Sequence, residues 1–148
     1  MINWFFLLYV WLILFMIYNI ILLGDWDMKK VYIAHSKDID YLNELYRTLR
    51  NDSFFNDYEL VLPHEESEKS SNTRDFYKDI DIFIAEVSKP GIGLGIELGW
   101  VFDDNKPIYC IYKTGFKASR SVYSVTKNIY EYKNTSEMLR IIKEIVTK

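Results

Sequence analysis

From residue 30 to the carboxyl end the chain alternates short apolar runs with amphipathic stretches, and before residue 24 it is apolar almost throughout. Residues 31–34, 58–62, 80–87, 107–112 and 129–132 are mostly apolar runs of strand length. Between the first two, residues 37–51 carry Ile39, Leu42, Leu45, Tyr46 and Leu49 at helical spacing, with Ser36 placed to cap them. Residues 73–79 predict a short helix and 96–104 another. Ser136 opens a closing helix in which Met138, Leu139, Ile142, Ile145 and Val146 share one face. Strands separated by helices predict an α/β fold: a three-layer sandwich around a five-stranded parallel sheet, flavodoxin- or Rossmann-like. Right-handed crossovers then put the ligand cleft at the carboxyl ends of the strands. Three polar groups fall there: the turn 32–36, the loop 64–72 and the turn 88–97.

Residues 4–23 form an uncharged run of twenty, interrupted by Asn19. As a helix they span about the 30 Å of a bilayer core. The expected organisation is a hydrophobic amino-terminal segment, 1–27, and a single domain, 28–148. The segment has two readings. As an uncleaved transmembrane helix it leaves the domain cytoplasmic, because Lys29 and Lys30 follow it and no basic residue precedes it. As a start-site extension it is never made: Met28 opens directly into the first strand, Gly24-Asp25 is encodable by a ribosome-binding sequence, and the protein is soluble and cytoplasmic.

At 148 residues there is room for one domain. A net charge of -3, with Lys and Arg spread along the chain, argues against a nucleic acid polymer as partner and leaves small anions open. The single cysteine, Cys110, sits in an apolar run and reads as a buried strand residue. With one cysteine, and His35 and His64 on separate loops, neither a metal nor a cofactor is expected.

The chain is organised around 83–100, Phe-Ile-Ala-Glu-Val-Ser-Lys-Pro-Gly-Ile-Gly-Leu-Gly-Ile-Glu-Leu-Gly-Trp. It predicts a buried strand ending near Val87, a turn through Pro90 and alternate glycines, and a helix with Glu97 in or near its first turn. The glycines satisfy neither the dinucleotide fingerprint nor the P-loop pattern. A carboxylate at a helix N-terminus is held ionised by the dipole and the free N–H groups. Such a group either caps its helix or attacks an electron-deficient sugar carbon.

Residues 85–99, Ala-Glu-Val-Ser-Lys-Pro-Gly-Ile-Gly-Leu-Gly-Ile-Glu-Leu-Gly, followed by Lys106-Pro107-Ile108, resemble the signature of the nucleoside 2-deoxyribosyltransferase superfamily. The branch most similar is that of the 2'-deoxynucleoside 5'-monophosphate N-glycosidases, and the resemblance extends over 30–148. It implies cleavage of the N-glycosidic bond of a 2'-deoxynucleoside or its 5'-monophosphate, by hydrolysis or by base transfer. Glu97 would be the nucleophile, forming a covalent deoxyribosyl-enzyme as in retaining glycosidases. Asp75, with Asp79 as the alternative, would be the proton donor, and His64 would orient the base or share the leaving-group proton. Tyr32, Ser36, Gly91 and Gly93 would line the sugar and phosphate pocket. Ser121, beside Ser119, would reach across a homodimer interface to the 5'-phosphate, with Lys117 and Arg120 near it. The chain departs from the pattern at His35, where the hydrolases have glycine, at Lys37-Asp38, and at Gly91, which stands for a phosphate-holding serine. Those departures leave open an unphosphorylated substrate or a non-catalytic nucleotide-binding module. A nucleotide-signal hydrolase of the Toll/interleukin-receptor type shares the layered fold, but the glycine-rich approach to Glu97 fits it less well.

Overall fold

The computed structural model describes residues 4–23, 28–65 and 74–148. Five parallel strands, β1 (Lys30–His35), β2 (Glu59–Val61), β3 (Ile82–Glu86), β4 (Ile108–Lys113) and β5 (Ile129–Tyr132), form one sheet in the order β2-β1-β3-β4-β5. All five expected strands are present. The order reverses between β1 and β3, which pair from Val31↔Ile82 to His35↔Glu86. That reversal opens a crevice at their carboxyl ends.

Side chains of β1 alternate between two cores. Val31 and Ile33 face one side, against Leu45, Leu49, Met138, Ile142 and Ile145. Tyr32 and Ala34 face the other, against Tyr77, Leu94, Leu98 and Val101. The first face is covered by a π-helical turn (Tyr41–Tyr46) that runs on into α2 (Arg47–Arg50), and by α5 (Thr135–Val146). The second is covered by a 3-10 turn (Arg74–Asp79), α3 (Ile92–Asp103) and the short α4 (Val122–Val125). Strand and helix layers therefore make the expected three-layer sandwich.

Local boundaries differ where several polar residues compete for one cap. Helical structure after β1 begins at Tyr41, not residue 37, because Asp40 accepts the Asn43 N–H while Ser36 turns to the carbonyl of Pro90. Asn134, not Ser136, caps α5 by accepting the Glu137 N–H. The more consequential shift is in α3, which starts at Ile92, four residues before the expected position, with Gly91 as its N-cap. Two glycines inside the first turns cost roughly 1 kcal/mol each relative to alanine. Burial of Leu94, Leu98 and Val101 against the sheet overrides that local preference.

The amino-terminal run is helical as α1 (Trp4–Leu23), and its described side chains, Trp4 and residues 8–18, are exposed. Over those described residues no helix is long and apolar enough to cross a membrane. Residues 24–27, which link α1 to the domain, and most of the polar loop after β2 (66–73) lie outside the described residues.

Candidate active site

β1 ends and α3 begins within contact of each other. Ser36, buried just past β1, donates to the carbonyl of Pro90 at 3.1 Å and accepts the Asp38 N–H at 3.3 Å. A Cβ on Gly91 would stand 3.3 Å from Ser36 Oγ, so any larger residue there crowds the junction of the two turns. Above this junction opens a cavity of about 340 Å³, lined by His35, Ser36, Lys37, Asp38, His64, Gly91, Ile92, Gly93, Leu94 and Glu97.

Glu97 lies in the second turn of α3, so the free N–H groups of the helix start are not what governs its charge. Tyr32, beneath it on β1 and wholly buried, donates to Glu97 Oε1 at 3.4 Å. Tyr77, also wholly buried, hydrogen-bonds to the carboxylate from the 3-10 turn, and its hydroxyl is 3.4 Å from that of Tyr32. Burial pushes the Glu97 carboxyl up to about 7, and the two tyrosine hydroxyls pull against that rise. The expectation of a carboxylate kept ionised by the helix dipole is thus corrected: near neutral pH Glu97 is poised between its two forms.

The opposite wall is aromatic. His35, where the resemblance has glycine, donates from Nδ1 to the Ser36 carbonyl at 2.9 Å and accepts the Tyr46 hydroxyl at Nε2 at 2.6 Å. A carbonyl only accepts, so a proton sits on Nδ1. Burial lowers its pKa to about 4. The His35 ring stacks on Tyr41 at 4.2 Å and meets the exposed His64 edge-on at 5.3 Å. Partial burial lowers the His64 pKa as well.

The structure brings Glu97, His64, Ser36, Gly91 and Gly93 to one cavity and puts Tyr32 under its floor. Asp75 belongs to the 3-10 turn that carries Tyr77, but its side chain lies outside the described residues; Asp79, at the end of that turn, is exposed. Ser121 is not in the Glu97 cavity. It lines, with Ser119 at 2.9 Å and with Lys89 and Lys117, a neighbouring cavity of about 380 Å³ that shares Gly91 and Leu94 with the first. Cys110 is buried on β4, and burial raises its thiol pKa to about 12. Among the described residues no group of three or more His, Cys, Asp or Glu could hold a metal ion. Sequence reasoning missed Tyr77. The signal was present, since Tyr77 and Ile80 stand at helical spacing before an apolar strand, and a buried tyrosine needs a partner for its hydroxyl.

No family model and no curated protein matches the chain. Solved structures do. A CMP N-glycosidase of Clostridium botulinum, BcmB, superposes with a TM-score of 0.54 at 22% identity, over 77% of this chain and 98% of its own. The chain has the fold of a CMP N-glycosidase. A conserved protein of Enterococcus faecalis V583 shares that fold with a TM-score of 0.60 at 16% identity, over 79% of this chain and 98% of its own. At these identities the likeness to the N-glycosidase is one of fold.

Proposed function

We propose that residues 28–148 cleave the N-glycosidic bond of a nucleoside or nucleoside 5'-monophosphate, with Glu97 as nucleophile. The observation that carries this reading is a carboxylate gripped by two buried tyrosines in a cavity at the switch point of a parallel sheet. One Glu97 oxygen bonds to C1' of the sugar as the bond from C1' to the base nitrogen breaks. The electron pair leaves with the base, which takes a proton from Asp75 or Asp79. Water then adds to C1' and gives a proton to the aspartate that protonated the base, the bond from C1' to the Glu97 oxygen breaks, and the Glu97 carboxylate and the aspartic acid are both regenerated. Hydrolysis is favoured over transfer to a second base by the resemblance to the N-glycosidase branch. In this reading His64 meets the base from the rim, the Gly91–Gly93 backbone faces the sugar or its phosphate, and Ser121 serves the site of a second copy.

A panel of deoxynucleosides and their 5'-monophosphates, with CMP added because BcmB is a CMP N-glycosidase, decides the matter by the free base released. Wild type is expected to release base, and Glu97→Gln to lose at least ~1,000-fold in kcat, since a covalent nucleophile is removed. Equal release by the two refutes the assignment, and tight binding without release points to the nucleotide-binding module. Specific activity that rises with protein concentration supports the homodimer.

A further inference from the structure

Tyr77 has no part in the bond-breaking steps above, yet it is built into the site. Its ring is wholly buried, edge-on to Tyr32 at 5.3 Å, 6.2 Å from Phe83 and 5.8 Å from Trp100. Tyr32 in turn stacks on Phe83 at 5.3 Å with the planes only 7° apart. Two phenols so packed have little freedom to swing, and their hydroxyls meet each other and the same carboxylate. The three groups come from separate pieces of chain: β1, the 3-10 turn and α3. A glutamate side chain has three rotatable bonds, and an attacking oxygen must be held near its target carbon for the entropic advantage of a bound nucleophile to be realised.

We propose that Tyr77 is a positioning residue that, with Tyr32, clamps the Glu97 carboxylate in its attacking orientation and ties the 3-10 turn to α3. The proposal rests on the glycosidase reading for its purpose but not for its test. A hydroxyl that donates to a carboxylate stabilises the charged form, so losing the Tyr77 hydroxyl must raise the Glu97 pKa. The other groups that face Glu97 leave this titration readable. Tyr32 and Tyr46 have pKa values raised by burial, and His35, held near 4, is neutral through the range. His64, Lys37 and Asp38 stand on the cavity wall in wild type and variant alike.

The experiment is a pH titration of the full chain carrying ¹³C-labelled glutamate carboxyls, with the Glu97 signal identified by its loss in Glu97→Gln. The wild-type midpoint is expected near 7, and Tyr77→Phe, which keeps the ring, should move it up by roughly one unit. Where base release is measurable, kcat of Tyr77→Phe should fall ~10-fold with KM little changed. An unchanged midpoint in a Tyr77→Phe variant whose spectrum is otherwise native overturns the proposal. Should Tyr77→Phe not fold, 3,5-difluorotyrosine at position 77, a stronger donor of the same shape, is expected to lower the midpoint, and no shift again overturns it. The midpoint is read without substrate, so a chain that cleaves no nucleoside still tests the clamp.

Discussion

Replacing Glu97 by glutamine should make the protein more stable, and only in one pH range. The carboxyl is pushed from its ordinary 4.5 up to about 7 in the folded state, with burial the main cause. A group that binds its proton more tightly when folded contributes most to stability where both states are protonated, below pH 4.5. That contribution is lost as pH rises through the folded value near 7, because the unfolded chain releases its proton first. The shift from 4.5 to about 7, at about 1.36 kcal/mol per pH unit, makes the cost of the ionised, half-buried carboxylate about 3 kcal/mol above pH 8. The glutamine side chain has the same shape, keeps an oxygen to accept from Tyr32, and carries no such cost. His35, whose pKa is lowered to about 4, acts oppositely on stability as the solution is acidified, but it is common to both proteins and cancels in the difference. Urea unfolding of wild type and Glu97→Gln from pH 4 to 8.5 measures this directly. The gap is expected to widen by about 3 kcal/mol between pH 4.5 and 7.5 and then level off, on the order of 10 °C in Tm. A gap that does not change with pH would refute the reasoning, because the carboxyl would then be titrating as it does in the unfolded chain.

Two further outcomes are expected. Gly91→Ala should destabilise the fold by about 1 kcal/mol, since its φ of -151° suits any residue and the cost is crowding of Ser36 Oγ at 3.3 Å. In a Ser36→Ala background that crowding is relieved, and a double-mutant cycle by chemical denaturation should show the two sites coupled.

The sheet was legible because five apolar runs, each bounded by polar or glycine-containing segments, leave few alternatives to buried parallel strands. The start of α3 was not. Gly91, Gly93 and Gly95 read locally as a turn, and only the sheet beneath Leu94 and Leu98 makes the same residues worth winding into a helix. That four-residue difference moves Glu97 from the first turn to the second and changes the cause of its electrostatics, from helix dipole to burial against tyrosine. Caps were misread for a similar reason. Ser36 and Asp40, or Asn134 and Ser136, are equally good acceptors in sequence, and the choice depends on which backbone N–H the tertiary structure presents. The link between Tyr77 and Glu97 joins residues twenty positions apart in sequence across two elements, which no spacing rule reports. The departure at His35 was visible as a letter, but its neutral, doubly bonded ring depends on Tyr46 reaching it from the opposite helical layer.

One last feature concerns where the domain can be held. β1 enters the sheet at Lys30 and delivers His35 to the cavity, roughly 17 Å further on at about 3.3 Å per residue. α5 runs back the other way, and Lys29 Nζ donates to the carbonyl of Val146 at 3.3 Å, so the two ends of residues 28–148 meet at the edge of the sheet away from the cavity. A bilayer, a resin or a fused carrier protein joined at either end therefore grips the back of the molecule and leaves the mouth open to whatever diffuses past.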